Sequence, residues 1–160
     1  MKLATGRVAG GLVCAMAALL APAMAEGRHW DARPLFGVEL HSVFTGAVNA
    51  GVAMGTLAAG PADGERGAEY GGPYAGDFRG AFLEYGHGLD GRGHAISAGY
   101  TENYWGWKSY KAGVALIREP EENWLGVTFQ QGFAGLYGRV AVLRNTDSDW
   151  RAVMAAGVGW

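Results

Sequence analysis

The chain has 160 residues, of which 28 are glycine, 5 are proline and 1 is cysteine, with 15 acidic and 13 basic side chains. So much glycine costs a helix about 1 kcal/mol at each interior position, which argues against a helical bundle. The slight acidic excess leaves no basic footprint for nucleic acid, and the single thiol excludes a disulfide framework or a thiolate metal site.

The first 25 residues read as a secretory signal peptide. Lys2 and Arg7 form a basic head, Val8 to Leu20 are small or aliphatic, and Ala23-Met24-Ala25 is an A-x-A cleavage signal. That apolar run is shorter than the ~20 residues a spanning helix requires. Cys14 lies within it, so the 135 residues from Glu26 to Trp160 carry no thiol, and their 15 acids outnumber 11 bases. They are expected to form a single domain. Because no stretch after the leader has 18 consecutive apolar residues, any membrane crossing must use strands.

Period-two alternation then recurs along the chain. In Phe36–Phe44, Phe36, Val38, Leu40 and Phe44 fall on one face, and Glu39 and His41 on the other. Val48, Val52 and Met54 oppose Asn49, Gly51 and Gly55. Residues 58–77 hold two prolines, many glycines and several acids without a period, and are expected to be a long loop. Next, Ala81, Leu83 and Tyr85 alternate with Gly80, Phe82 and Glu84, and a turn is expected at Asp90-Gly91. Ile96, Ala98 and Tyr100 alternate with Ser97, Gly99 and Thr101 before the aromatic YWGW connection. Tyr110, Ala112, Val114 and Leu116 oppose Lys111 and Gly113, up to a break at Pro120. Leu125, Val127 and Phe129 oppose Gly126, Thr128 and Gln130, and Leu136, Val140 and Val142 oppose Tyr137 and Arg139. The last segment sets Trp150, Ala152, Met154, Ala156, Val158 and Trp160 against Arg151, Val153, Ala155, Gly157 and Gly159.

Eight half-apolar strands follow from this pattern. A water-soluble sheet would show the same alternation, so alternation alone does not decide which face is wet. The export signal, the aromatic strand end at Trp160 and the placement of Trp30, Tyr104, Trp105, Trp107, Trp124 and Trp150 near strand ends favour a barrel in lipid. Such a barrel turns its apolar face outward and has no open edge. The fold expected is therefore all-β, a closed antiparallel up-and-down transmembrane β-barrel of about eight strands. If the chain starts in the periplasm, residues 58–77 occupy a periplasmic connection, where such barrels have short turns. Either Val48–Leu57 is part of a long external loop and an additional strand lies near Gln131–Leu136, or the barrel carries a long periplasmic excursion.

In pattern the mature chain resembles small bacterial outer-membrane β-barrels. The resemblance implies residence in the outer membrane, contact with outer-membrane lipids including lipopolysaccharide, and recognition of the Trp160 strand by the barrel-assembly machinery. An eight-stranded interior is about filled by its own side chains, so Glu39, Glu84, Lys111, Arg139 and Arg151 are expected to form an ion-pair network plugging the lumen. The protein would then be structural or surface-interacting.

The run LHSVF followed by FRGAFLEYGHGLDGRGHAISAGYTENYWGWKSYKAGV is similar in order to PagP-type lipid A palmitoyltransferases. These are eight-stranded barrels with a histidine on the first strand and an Asp-Ser pair at the outer end of a later one. The similarity places His41 at the histidine and Glu102-Asn103 at the Asp-Ser pair, and implies an acyltransferase at the outer leaflet. Asn103 has no hydroxyl, so acyl transfer would have to rest on electrostatic stabilisation or on a different hydroxyl, such as Ser42, Thr101 or Ser109. A third reading is a soluble periplasmic barrel that holds an apolar ligand, which requires the apolar parity to face inward. No H-x-H or H-E-x-x-H spacing marks a metal site, no phosphate-cradling G-x-x-x-x-G-K-[ST] occurs, and no G-x-S-x-G is present. No cofactor, metal or nucleic-acid partner is expected.

Overall fold

The computed structural model describes residues 28–58, 77–104 and 108–159. They form eight strands: β1 Arg28–His41, β2 Gly46–Ala58, β3 Asp77–Gly88, β4 His94–Tyr104, β5 Lys108–Arg118, β6 Asn123–Phe133, β7 Leu136–Arg144 and β8 Trp150–Gly159. Each pairs antiparallel with its neighbour in sequence, and β8 returns to β1 over Gly37–His41, closing the barrel. Closure leaves no sheet edge along that seam and satisfies the backbone through inter-strand bonds.

The register sets the shape. Starting at Asp31, successive partners are Gly55, Gly80, Thr101, Lys111, Gln130, Arg139 and Ala155, and the circuit re-enters β1 at His41, ten residues further on. A stagger of that size over eight strands tilts them by about 40° and gives a backbone radius of about 8 Å. The interior is only wide enough for side chains.

Glycine on the inner face makes so tight a barrel attainable. Gly99 and Gly113 are cross-strand partners, and a Cβ on either would collide with the carbonyl of Ala112 or Ala98 on the facing strand. The turns are as specific. Ala134 and Gly135, both at positive φ, form the two-residue β6–β7 turn, the conformation that follows the sheet twist. No strand is inserted between Gln131 and Leu136, and β2 is a full wall strand. Ala58 and Asp77, where β2 ends and β3 begins, lie at the same end of the barrel as Arg28 and Gly159, and the loop expected over 58–77 otherwise falls outside the described residues.

The outer face carries a band of large apolar side chains. Phe36, Val38, Leu40, Met54, Leu83, Ile96, Val127, Phe129, Leu136, Val140, Met154 and Val158 are all exposed there. On β5 the band runs from Tyr110 to Leu116, between outward-facing Lys108 and Arg118. Those two positions are about 33 Å apart along the strand and about 25 Å apart along the tilted axis, close to the height of the apolar band of outer-membrane barrels.

Inside, two apolar clusters close the ends. At the end formed by the β1–β2, β3–β4, β5–β6 and β7–β8 turns, Phe44, Ile117, Trp124, Leu143 and Val153 pack together. Toward the other end lie Leu35, Ala53, Phe78 and Phe82. Two sequence expectations are corrected here. Phe44 does not continue the outward face of β1, because the strand stops at His41 and the bend through Thr45, at φ 42°, turns the ring into the core. Trp124 is not an interfacial aromatic; it occupies an inward position of β6 and is 4% exposed.

Candidate functional site

The middle of the lumen, between the two apolar clusters, is polar. Glu84 on β3 accepts from Lys111 Nζ at 2.5 Å and from Arg139 Nη2. Arg139 also reaches Glu39 on β1 at 3.7 Å and donates from Nε to Gln130 Oε1 at 3.0 Å. The Tyr137 hydroxyl donates to Glu39 at 3.0 Å and accepts from Asn49 Nδ2 at 3.2 Å. Five strands besides β7 thus send a side chain to this network, and its two carboxylates balance its two cations. Buried charges persist only when paired and hydrogen-bonded in this manner.

Strand periodicity aims these groups inward, but small neighbours make room for them. Gly157 on β8 is the cross-strand partner of both Glu39 and Tyr137. A Cβ there would lie 2.8 Å from the Glu39 Cβ and from the Tyr137 ring, so glycine opens the space across which the two bond. Lys111 stacks over Phe82 at 5.5 Å and Arg139 over Tyr137 at 5.7 Å, which gives each cation an aromatic face as well as a carboxylate.

Four of the five residues expected in the lumen therefore meet: Glu39, Glu84, Lys111 and Arg139. Arg151 does not join them. It sits at the turn end of β8, bonds Glu119 at 2.5 Å, approaches Glu122 at 3.9 Å and covers the Trp124 ring at 4.0 Å. Its parity is inward as expected, but the register puts it far above the network. Tyr137, Gln130 and Asn49 complete the site, beyond the five residues the sequence pattern predicts for it. Their inward parity was the only sequence signal.

The residues suggested by the acyltransferase resemblance are dispersed. His41 ends β1 at the turn end of the barrel. Its Nδ1 accepts from the backbone N–H of Val43 at 3.1 Å and of Phe44 at 3.4 Å, and its ring stacks on Phe44 at 4.7 Å. Ser42 Oγ accepts from Met154 N at 3.0 Å. Glu102 and Asn103 lie near the far end of β4, at the opposite rim. Glu102 is on the outer parity, where it accepts from Tyr100 at 2.7 Å and Tyr104 at 2.5 Å and faces Arg79 at 3.6 Å. The geometry brings His41 and Ser42 together at one rim and leaves Glu102 and Asn103 at the other.

Between the network and the cluster around Trp124 lies a cavity of about 20 Å³, counted as space open to the centre of a water molecule. His41, Ser97, Thr128 and Arg139 contribute to its wall. It is large enough for one water held by those polar groups and too small for an acyl chain or a sugar. Among the described residues no group of three or more His, Cys, Asp or Glu is arranged to hold a metal ion. Comparison with family models, with curated proteins and with solved structures finds no match to this chain.

Proposed function

We propose that this protein is an integral outer-membrane β-barrel, closed by its own lumenal network, with a structural or surface-interacting role. The observation that carries this reading is the orientation of the parity. Large apolar side chains ring the outside of the closed barrel and charged ones fill its middle, the reverse of what a water-soluble barrel with an apolar ligand cavity requires. On β5 the charged residues that flank the apolar band stand about 25 Å apart along the axis, the height of the apolar band of outer-membrane barrels, and among the described residues two apolar clusters with a salt-bridged layer between them occupy the lumen. Its partners are then outer-membrane lipids, including lipopolysaccharide, and the assembly machinery that reads the last strand.

Acyl transfer to lipid A is the lesser reading, because His41 and Ser42 stand at one rim of the barrel and Glu102 and Asn103 at the other. Fractionation of cells expressing the full chain, with electrophoresis of heated and unheated samples in detergent, tests the proposal. A heat-modifiable band in the outer-membrane fraction is expected. Recovery of the folded protein in the soluble periplasmic fraction would overturn it.

A further inference from the structure

The β3–β4 hairpin brings together two histidines that sequence spacing keeps seven positions apart. His87 and His94 are direct cross-strand partners on the outer face, next to the Leu89–Gly93 turn. Both side chains are exposed, their Nδ1 atoms are 3.4 Å apart, and the rings lie 19° from parallel with centroids at 5.6 Å. Tyr85 also stacks on His94, with ring centroids at 6.0 Å.

We propose that this pair is a two-imidazole site for a divalent transition-metal ion of the zinc, nickel or copper class. Two nitrogens bound at ~2.0–2.1 Å to one tetrahedral ion stand about 3.3 Å apart, which is the separation found here. Imidazole suits these ions, whereas magnesium and calcium take oxygen. A hairpin holds the two Cβ atoms at fixed spacing, so little ordering of backbone is needed on binding. The nearly parallel rings must each turn about the Cβ–Cγ bond to aim both lone pairs at one ion. That torsion is broad and soft, and the exposed face of the hairpin leaves room for it.

Among the described residues no third protein ligand is in place. Asp90, the acid of the hairpin turn, is engaged within it, accepting from Arg92 N at 3.0 Å and facing Arg92 Nε at 3.6 Å. The remaining coordination positions therefore belong to water or to an external donor. Arg118, the other cross-strand neighbour of His94, is exposed and repels a cation only through solvent. The site follows from the hairpin alone and does not depend on the barrel's being in a membrane.

The test is titration of the full-length barrel in detergent micelles with Zn2+, followed by calorimetry and by the histidine ring resonances. One ion per chain is expected to shift the His87 and His94 rings together. His87→Ala and His94→Ala should each weaken binding at least tenfold, while His29→Ala should not. Heat-modifiability establishes that each variant is folded, and Zn2+ should raise the unfolding midpoint of the native chain but of neither single variant. Equal Zn2+ affinity in the native chain and the His87→Ala variant would overturn the assignment. So would ring resonances of the native pair that stay unmoved, which would mean that the histidines only share a proton.

Discussion

Glu84 holds two cations in the middle of the barrel and is 3% exposed, so its replacement is the sharpest probe of the lumen. Glu84→Gln keeps the shape and removes the charge. Lys111 loses its salt-bridge partner, Arg139 keeps Glu39 at 3.7 Å, and the network is left with one uncompensated buried cation. Removing one partner of a buried pair costs about 3–5 kcal/mol, because the remaining charge has already been taken out of water. The double variant Glu84→Gln/Lys111→Met restores neutrality with a side chain of similar length against Phe82, and should recover most of that loss. Urea unfolding of the micelle-bound barrel, followed by the fluorescence of its tryptophans, measures both. A loss below about 1 kcal/mol for Glu84→Gln would mean that water reaches the network. A double variant no more stable than Glu84→Gln would show that the charge balance drawn here is incorrect.

Other outcomes follow from the same structure. Val140 and Met154 are outward-facing cross-strand partners, 50% and 65% exposed; Arg at either should cost about 2–4 kcal/mol near the bilayer midplane and reduce the folded outer-membrane fraction. Leu143 is fully buried in the plug around Trp124, so Leu143→Ala should lower stability by about 2–5 kcal/mol, read in the same urea titration. Gly99→Val pushes a branched side chain against the facing backbone, and should cost at least the ~1–3 kcal/mol of overpacking and slow formation of the heat-modifiable band. His41→Ala removes the acceptor for two turn N–H groups, and should cost about 0.5–2 kcal/mol, as loss of a comparable helix cap does, without changing the lipid A profile of cells that express it.

Alternation between small or polar and large apolar residues is enough to read eight strands and to set Glu39, Glu84, Lys111 and Arg139 on the face opposite the large apolar side chains, while the export signal and the aromatic strand ends choose which face turns outward. The strands and their two faces depend only on the period of two within a strand. The errors arose where a strand stops. Phe44 continues the parity of Phe36 on paper, but a turn capped by His41 intervenes. Trp124 was grouped with interfacial aromatics by its nearness to a strand end, although its parity is that of Thr128 and Gln130.

What tertiary structure alone decided is height around the barrel. A residue's face can be read locally, but its level depends on which residue of the next strand it pairs with, and that register accumulates a stagger of ten residues over the circuit. Register joins Glu84 to Arg139, 55 positions away in the chain, and excludes Arg151 from their company. The same register parts His41 from Glu102 and Asn103, and brings His87 opposite His94. The amino-acid sequence by itself determined which residues point into the barrel; only closure of the hydrogen-bonded circuit determined which of them meet.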